Sequence, residues 1–192
     1  MPAEHYQESF RSTAILTSAG TGDLFESCEF IGLRPTPGER LRLTGLRFED
    51  CTFRDCDFTG ATLGETAFQD CTFEECKLSG LRWDEVRALN FACSFLRSNL
   101  SFSVFAGRDL TRCKFKDCKL EEADLERTVC DGLAFDGCQL SGAQWSGASC
   151  LKSDFRASQG LTLDPNQVRL QGARFTTEGL RGLVAHHGIT VD

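Results

Sequence analysis

A large apolar residue recurs at every fifth position over most of this 192-residue chain. One uninterrupted run extends from Leu43 to Trp83 and a second from Phe95 to Phe155. Every fifth residue in them is Phe, Leu or Trp, except Cys130 and Cys150. A weaker run with the same spacing lies between residues 10 and 30. This internal repeat constrains the fold before any helix or strand is assigned.

A period of five fits neither regular secondary structure. On an α-helix, steps of five residues scatter side chains around the cylinder, and on a strand an odd step sends them to opposite faces. The pattern works if the backbone turns once per repeat and returns each large residue to one interior, as in a solenoid. The predicted core includes the large residues Phe48, Phe53, Phe58, Phe68, Phe73, Trp83, Phe105, Phe115, Phe135 and Trp145.

Small residues recur two positions before the large ones, and most of the 11 cysteines lie there. They follow one another at intervals of five and twenty, whereas zinc sites favour closely paired ligands such as C-x2-C. Buried thiols behave as small hydrophobic groups. We therefore expect the cysteines to be free packing residues, with no metal and no cofactor.

The best-formed repeats carry a recognisable motif. Residues 56–60 read CDFTG and residues 123–127 read ADLER. Both resemble the A(D/N)LXX motif of the pentapeptide-repeat family, and the resemblance covers roughly residues 23–175. It implies an all-β fold, a right-handed quadrilateral parallel β-helix with four repeats per coil. Residues i and i+20 are then expected to stack on one side.

The five-residue register breaks twice, at about residues 31–42 and 84–94. The first break is rich in Pro and Gly and predicts a projecting loop, and the second predicts a kink or a bulging loop. Loops on rigid scaffolds are common contact sites. The candidate loop contacts are the charged residues Arg34, Glu39, Arg40, Asp84, Glu85 and Arg87.

The repeats fade near residue 175, which divides the chain into a β-helix (1–175) and a C-terminal helix and tail (176–192). An apolar face in the tail predicts a short helix that covers the open end of the β-helix. In the gyrase-protecting branch of the pentapeptide-repeat family the C-terminal module makes a dimer, and this tail looks similar. The candidate cap and dimer residues are Leu180, Leu183, Val184 and Ile189.

The formal net charge is −7, and the segment from Phe48 to Val86 alone carries ten acidic and three basic residues. Such an acidic chain is unlike a nucleic-acid-binding protein, which usually presents a basic stripe. A second acidic cluster lies between Glu121 and Asp136. The candidate partner-binding residues are the carboxylates Asp50, Asp55, Glu65, Asp70, Glu74 and Glu75.

Other classes of function find no support. The three histidines lie near the termini, and no catalytic constellation or glycine-rich phosphate loop is present, so we expect no enzyme. No apolar run reaches the length of a membrane span, and the N-terminus lacks the layout of a signal peptide. We expect a cytoplasmic protein with no membrane partner.

The family resemblance implies a more specific role. Members that confer quinolone resistance or immunity to topoisomerase poisons act as DNA mimics, and they bind a type II topoisomerase such as DNA gyrase. The alternative is a pentapeptide-repeat scaffold for another protein, with the acidic surface serving solubility. A fold alone does not decide between these functions.

Overall fold

The computed structural model describes residues 1–185 as a stack of four-sided coils, in which every strand pairing is parallel. Two sides are sheets. Side one consists of β1 (Glu4–Tyr6), β3 (Leu24–Glu26), β5 (Arg47–Glu49) and β7 (Ala67–Gln69). Side two consists of β2 (Ser9–Phe10), β4 (Glu29–Ile31), β6 (Thr52–Arg54), β8 (Cys71–Glu74), β9 (Cys93–Leu96), β10 (Lys114–Lys116) and β11 (Phe135–Asp136). The predicted all-β solenoid is confirmed.

Single parallel bridges join the coils on the remaining two sides. Side three follows the bridged residues Asp57, Lys77, Asn99, Lys119 and Gln139. Side four follows the bridged residues Arg82, Val104, Asp124 and Gln144. One turn of the coil therefore passes sides one, two, three and four in order before it returns one level along the rod.

The stacking register explains both breaks in the repeat. Phe48 pairs with Phe68, which is the regular step of twenty residues. Phe25 pairs with Phe48 across the first break and Phe73 with Phe95 across the second, so these coils contain 23 and 22 residues. Three and two residues are inserted without any loss of alignment in the core.

Side two buries an unbroken stack of phenylalanine rings along the whole described part of the chain. Neighbouring rings have centroids 4.6–5.8 Å apart and planes within 30° of parallel. The stack consists of Phe10, Phe30, Phe53, Phe73, Phe95, Phe115, Phe135, Phe155 and Phe175. All ten predicted core residues are at most 3% exposed. At about 4.8 Å per coil the stack is about 40 Å long.

The two breaks fold differently. In the first, Leu33 and Leu41 return to the core, and the residues between them lie outside it. In the second, a 3-10 helix (Trp83–Glu85) is followed by the buried Val86 and Phe91, so most of the insertion thickens the core. Around its tip, residues 87–90 are exposed.

Short helices lie at both ends of the rod. In the first coil, α1 (Ala14–Ser18) replaces the repeat expected around Ile15, and Leu16 is the residue it buries. A five-residue step cannot be kept within a helical turn, so the apolar side chain shifts by one position. At the other end, α2 spans Arg181–Ala185. The predicted contact Ile189 lies outside the described residues.

Helix α2 lies close to the last coil because Gly182 has no side chain. A Cβ atom at this position would lie 1.9 Å from the carbonyl oxygen of Leu161. Leu183 packs against the core, and Val184 is half-buried. Leu180 remains 46% exposed. One residue of the predicted apolar face therefore packs against the last coil, and another lies on the surface.

Candidate functional site

Five of the six predicted acidic residues lie at three corners of the rod, and the sixth, Glu74, lies on side two. Asp50 and Asp70 stack at the corner between sides one and two, since the flanking Glu49 pairs with Gln69. One corner further along, Asp55 and Glu75 stack between sides two and three, because Arg54 pairs with Glu74. The outward-pointing Glu74 lies on side two between these corners, and Glu65 lies at the corner between sides four and one. Side two and its two corners therefore carry five of the six, namely Asp50, Asp55, Asp70, Glu74 and Glu75. We call this surface the side-two edge.

Five of these carboxylates occupy left-handed backbone positions. The φ angles of Asp50, Asp55, Glu65, Asp70 and Glu75 lie between 51° and 57°. A turn with its third residue in this region favours Gly or Asn, and glycines fill many equivalent corners here. The corners hold these carboxylates at fixed positions on the outside of the rod.

Arginines from neighbouring coils neutralise most of this acidic surface. Glu74 accepts a hydrogen bond from Arg54 at 2.9 Å and a second from Arg97, and the bond from Arg54 is the main cause of its lowered pKa. Arg97 also binds Glu75 at 3.1 Å. Asp70 lies 3.5 Å from Arg112, two coils away.

The predicted loop residues and the predicted acidic residues meet in the structure. Arg34 of the first break binds Asp55 at 2.5 Å, and Arg87 of the second break lies 3.7 Å from Glu65. Of the six carboxylates, Asp50 has no ion pair among the described residues. These exposed pairs contribute little stability, but they localise the charge.

The other loop residues bind within their own segments. Glu39 accepts hydrogen bonds from the backbone and hydroxyl of Thr36, at 2.8 and 3.0 Å, and these lower its pKa. Arg40 is exposed. Asp84 binds Arg82 at 2.6 Å, and Glu85 lies 3.8 Å from the same arginine.

The second acidic cluster differs because it lacks most of these arginine partners. Glu121, Glu122, Asp124 and Asp136 form no ion pair within residues 1–185. Glu126 lies 3.3 Å from Arg127. Both clusters are visible in the sequence, but the sequence did not show which of them forms ion pairs with arginines. The paired residues lie 20 to 23 positions apart, or even 42 positions apart.

Two other kinds of site, a metal centre and a membrane span, are absent from residues 1–185. All eleven cysteines are free and buried, and residues 1–185 hold no group of three or more metal-ligating side chains. No helix in this part of the chain is long and apolar enough to cross a bilayer. What the geometry offers is a rigid rod with charged outer sides.

Two sequence profiles match this repeat directly. Both are described as pentapeptide repeats, in nine and eight copies, and they match residues 40–82 and 93–129. The gap between the matches coincides with the 22-residue coil. Over these two segments the chain consists of pentapeptide repeats. No curated protein sequence matches it.

Several solved structures are similar to this chain at low sequence identity, and the first two share its fold. A trypsin-treated form of QnrB1, a plasmid-mediated fluoroquinolone resistance protein, is 19% identical over 100% of this chain and 99% of that chain, with a TM-score of 0.61. Another trypsin-treated form of QnrB1 is 20% identical over the whole of both chains, with a TM-score of 0.50. HetL, from the cyanobacterium Nostoc, is 16% identical over 88% of this chain and 81% of that chain, with a TM-score of 0.41.

Proposed function

We propose that this protein binds DNA gyrase, or a related type II topoisomerase, in place of DNA and protects it from a poison. The observation that carries the proposal is the rigid array of carboxylates along the rod. Residues 48–86 alone carry a net charge of −7 and rise over about two coils, roughly 10 Å. Arg34, Arg87, Arg97 and Arg112 pair with this segment from outside it and reduce that charge. Duplex DNA presents about six charges over that length, at one per about 1.7 Å.

The resemblance to QnrB1 supports the same proposal. The similarity extends over the full length of both chains, and that protein is named for fluoroquinolone resistance. In this role the chain needs no catalytic group and no cofactor, because it acts by occupying a basic groove. Direct binding of nucleic acid is not part of the proposal, since like charges repel.

We place the protein in the cytoplasm, where a topoisomerase meets DNA and where eleven free thiols are stable. We also propose a homodimer through the C-terminus. Its support is Leu180, a large apolar side chain left 46% exposed beside α2. A two-fold contact would bury both copies of this residue.

A second candidate function is a protein-interaction scaffold with another partner. The arginine pairs on the side-two edge favour it, because Arg97 and Arg112 reduce the negative field that a DNA mimic would present. Under this alternative the acidic residues keep the rod soluble, and gyrase is not a partner.

The test is DNA supercoiling by purified gyrase with and without a fluoroquinolone, titrated with this protein. We expect more drug to be needed for half-inhibition and fewer cleaved DNA complexes to accumulate. A control variant carries Asp50→Asn, Asp55→Asn, Asp70→Asn, Glu74→Gln and Glu75→Gln, which preserve shape while removing charge. An unchanged drug response at a several-fold molar excess of the unaltered protein would favour the scaffold.

A further inference from the structure

One coil presents an apolar outer surface on side four. Phe102 is 62% exposed, and the next two outward residues, Val104 and Ala106, are half-buried. The residues that alternate with them, Ser103 and Phe105, point inward and are fully buried. This apolar row, Phe102–Val104–Ala106, therefore consists of side chains that the core does not use.

The backbone at Phe102 is strained for such a residue. Its φ is 62°, in the left-handed region that bulky side chains rarely adopt. The same corner is occupied by Gly60, Gly80 and Gly142 in other coils, with φ of 71–72°. Glycine would relieve the strain, and a polar side chain would improve solubility. Folding and solubility alike therefore argue against Phe at this corner, which points to a contact made outside the chain.

A row of carboxylates borders the apolar row on the next coil. Val104 bridges Asp124, and the backbone N–H of Phe102 donates to the carbonyl oxygen of Glu121 at 2.9 Å. Glu122 and Asp124 form no ion pair among the described residues. On the coil before, Arg82 is held by Asp84. The apolar row is thus bordered on the next coil by two carboxylates that form no ion pair among the described residues.

We propose that side four, between Gly80 and Glu126, is a second surface that contacts the protein partner, in addition to the side-two edge. Phe102 enters an apolar recess of the partner, and Glu122 and Asp124 face its basic side chains. This inference rests on the proposed function, because it takes the topoisomerase as the basic partner. A second copy of the chain fits less well, since a two-fold contact here would oppose the same unpaired carboxylates.

The experiment measures binding of immobilised protein to purified gyrase over a range of salt concentrations. We expect Phe102→Asn to weaken binding at least tenfold, because buried aromatic anchors dominate interfaces and Asn tolerates the left-handed backbone. Phe102→Gly repeats the test with a residue that suits this corner. Glu122→Gln combined with Asp124→Asn is expected to weaken binding and flatten its salt dependence.

Two matched controls lie elsewhere on the rod. Tyr6→Asn removes another aromatic side chain, which is 51% exposed. Asp117→Asn with Asp136→Asn removes two exposed charges, one at the corner between sides two and three and one on side two, both on later coils than the six candidate carboxylates. Both controls are expected to bind gyrase within about twofold of the unaltered chain, and circular dichroism checks that every variant is folded.

The outcomes separate the two proposals. If the unaltered chain does not bind gyrase, the proposed function fails and this inference fails with it. If it binds and both Phe102 variants bind equally well, the inference alone is overturned. It is also overturned if the controls weaken binding as much, or if Phe102→Asn halves the mass measured by light scattering, which would identify a contact between copies.

Discussion

At the scale of single residues, the cysteines show how the narrow inward position is filled. The Sγ atoms of Cys51, Cys56 and Cys76 donate to carbonyl oxygens of the preceding coil, Phe25, Phe30 and Phe53, at 3.2–3.4 Å. A thiol is small enough to lie beside a large aromatic ring and polar enough to serve as a weak donor. These side chains join neighbouring coils without disulfides.

Burial keeps all eleven thiols away from solvent and from reagents dissolved in it. It raises the pKa of Cys71 and Cys93 well above 9.0, and that of Cys113 to about 12. We expect iodoacetamide at pH 8 to modify almost none of the eleven thiols in the native protein and all of them after denaturation. Mass spectrometry counts the adducts, and rapid labelling of the native protein would contradict the packing described above.

The same shifts predict a loss of stability in alkali. Between pH 9 and about 12 the Cys113 thiol ionises in the unfolded chain but stays protonated in the folded one. The unfolded state then binds fewer protons, so the free energy of unfolding falls as pH rises. Urea midpoints measured from pH 8 to 11 should decrease steadily, and by less in Cys113→Ala.

At the scale of elements, a charged side chain in an inward position, Arg108, forms hydrogen bonds with the 22-residue coil that precedes it. Arg108 is 7% exposed and lies where other repeats carry Cys, Ser or Ala. Its Nε donates to the carbonyl oxygen of Trp83 at 2.8 Å, and an Nη donates to that of Val86. The guanidinium carbon lies 5.5 Å from the ring centroid of Phe91. Arg108 therefore joins the carbonyl groups of Trp83 and Val86 to the next coil, and the Trp83 oxygen also accepts from the Val86 N–H.

Removal of this side chain should be costly. Arg108→Ala removes the hydrogen bond to the buried Val86 carbonyl and opens a cavity, so we expect a loss of about 2–4 kcal/mol in the free energy of unfolding. Arg112→Ala is the matched control, because Arg112 makes only an exposed contact with Asp70 and should cost less than about 1 kcal/mol. Chemical denaturation compares them, and equal losses would rule out the special role of Arg108.

At the scale of the whole molecule, the C-terminal end of the described rod carries a short helix, α2. At the C-terminal end, the contact of Gly182 with Leu161 holds α2 against the last coil. Leu180 then projects beside that helix. A rod with a covered core and one exposed apolar residue near its end is suited to end-to-end pairing, which would double the length of the charged surface.

The proposed dimer predicts a solution mass of about twice 21.2 kDa. Leu180→Ser should reduce it to that of one chain while the far-ultraviolet circular dichroism stays unchanged. Leu89→Ser is the control, because Leu89 is 82% exposed but lies in the second break, and it should leave the mass unaltered. Light scattering decides, and a single-chain mass for the unaltered protein would exclude the dimer.

The predicted and observed folds agree for the segments that follow the five-residue period. It predicted the solenoid and the locations of both breaks, and the family resemblance implied the step of twenty. It could not predict how extra residues are accommodated, because an insertion interrupts the pattern that carries the information. Arg108 occupies a predicted inward position, yet its role depends on carbonyl groups 22 and 25 residues away. The exposure of Phe102 was equally hidden, since the period describes what points inward.

The constant step of the coil also limits how a gene for such a protein can change length. An insertion or duplication of sixty nucleotides adds one complete coil and leaves every later residue on its original side. One of fifteen nucleotides preserves each pentapeptide but rotates all that follows by a quarter turn, which moves Phe102 and its bordering carboxylates to another side. The 22- and 23-residue coils show a third possibility. Two or three extra residues are accommodated within one coil, and the residues after them stay on their original sides. Length variants of this rod should therefore cluster at multiples of twenty residues, apart from small insertions at its two breaks.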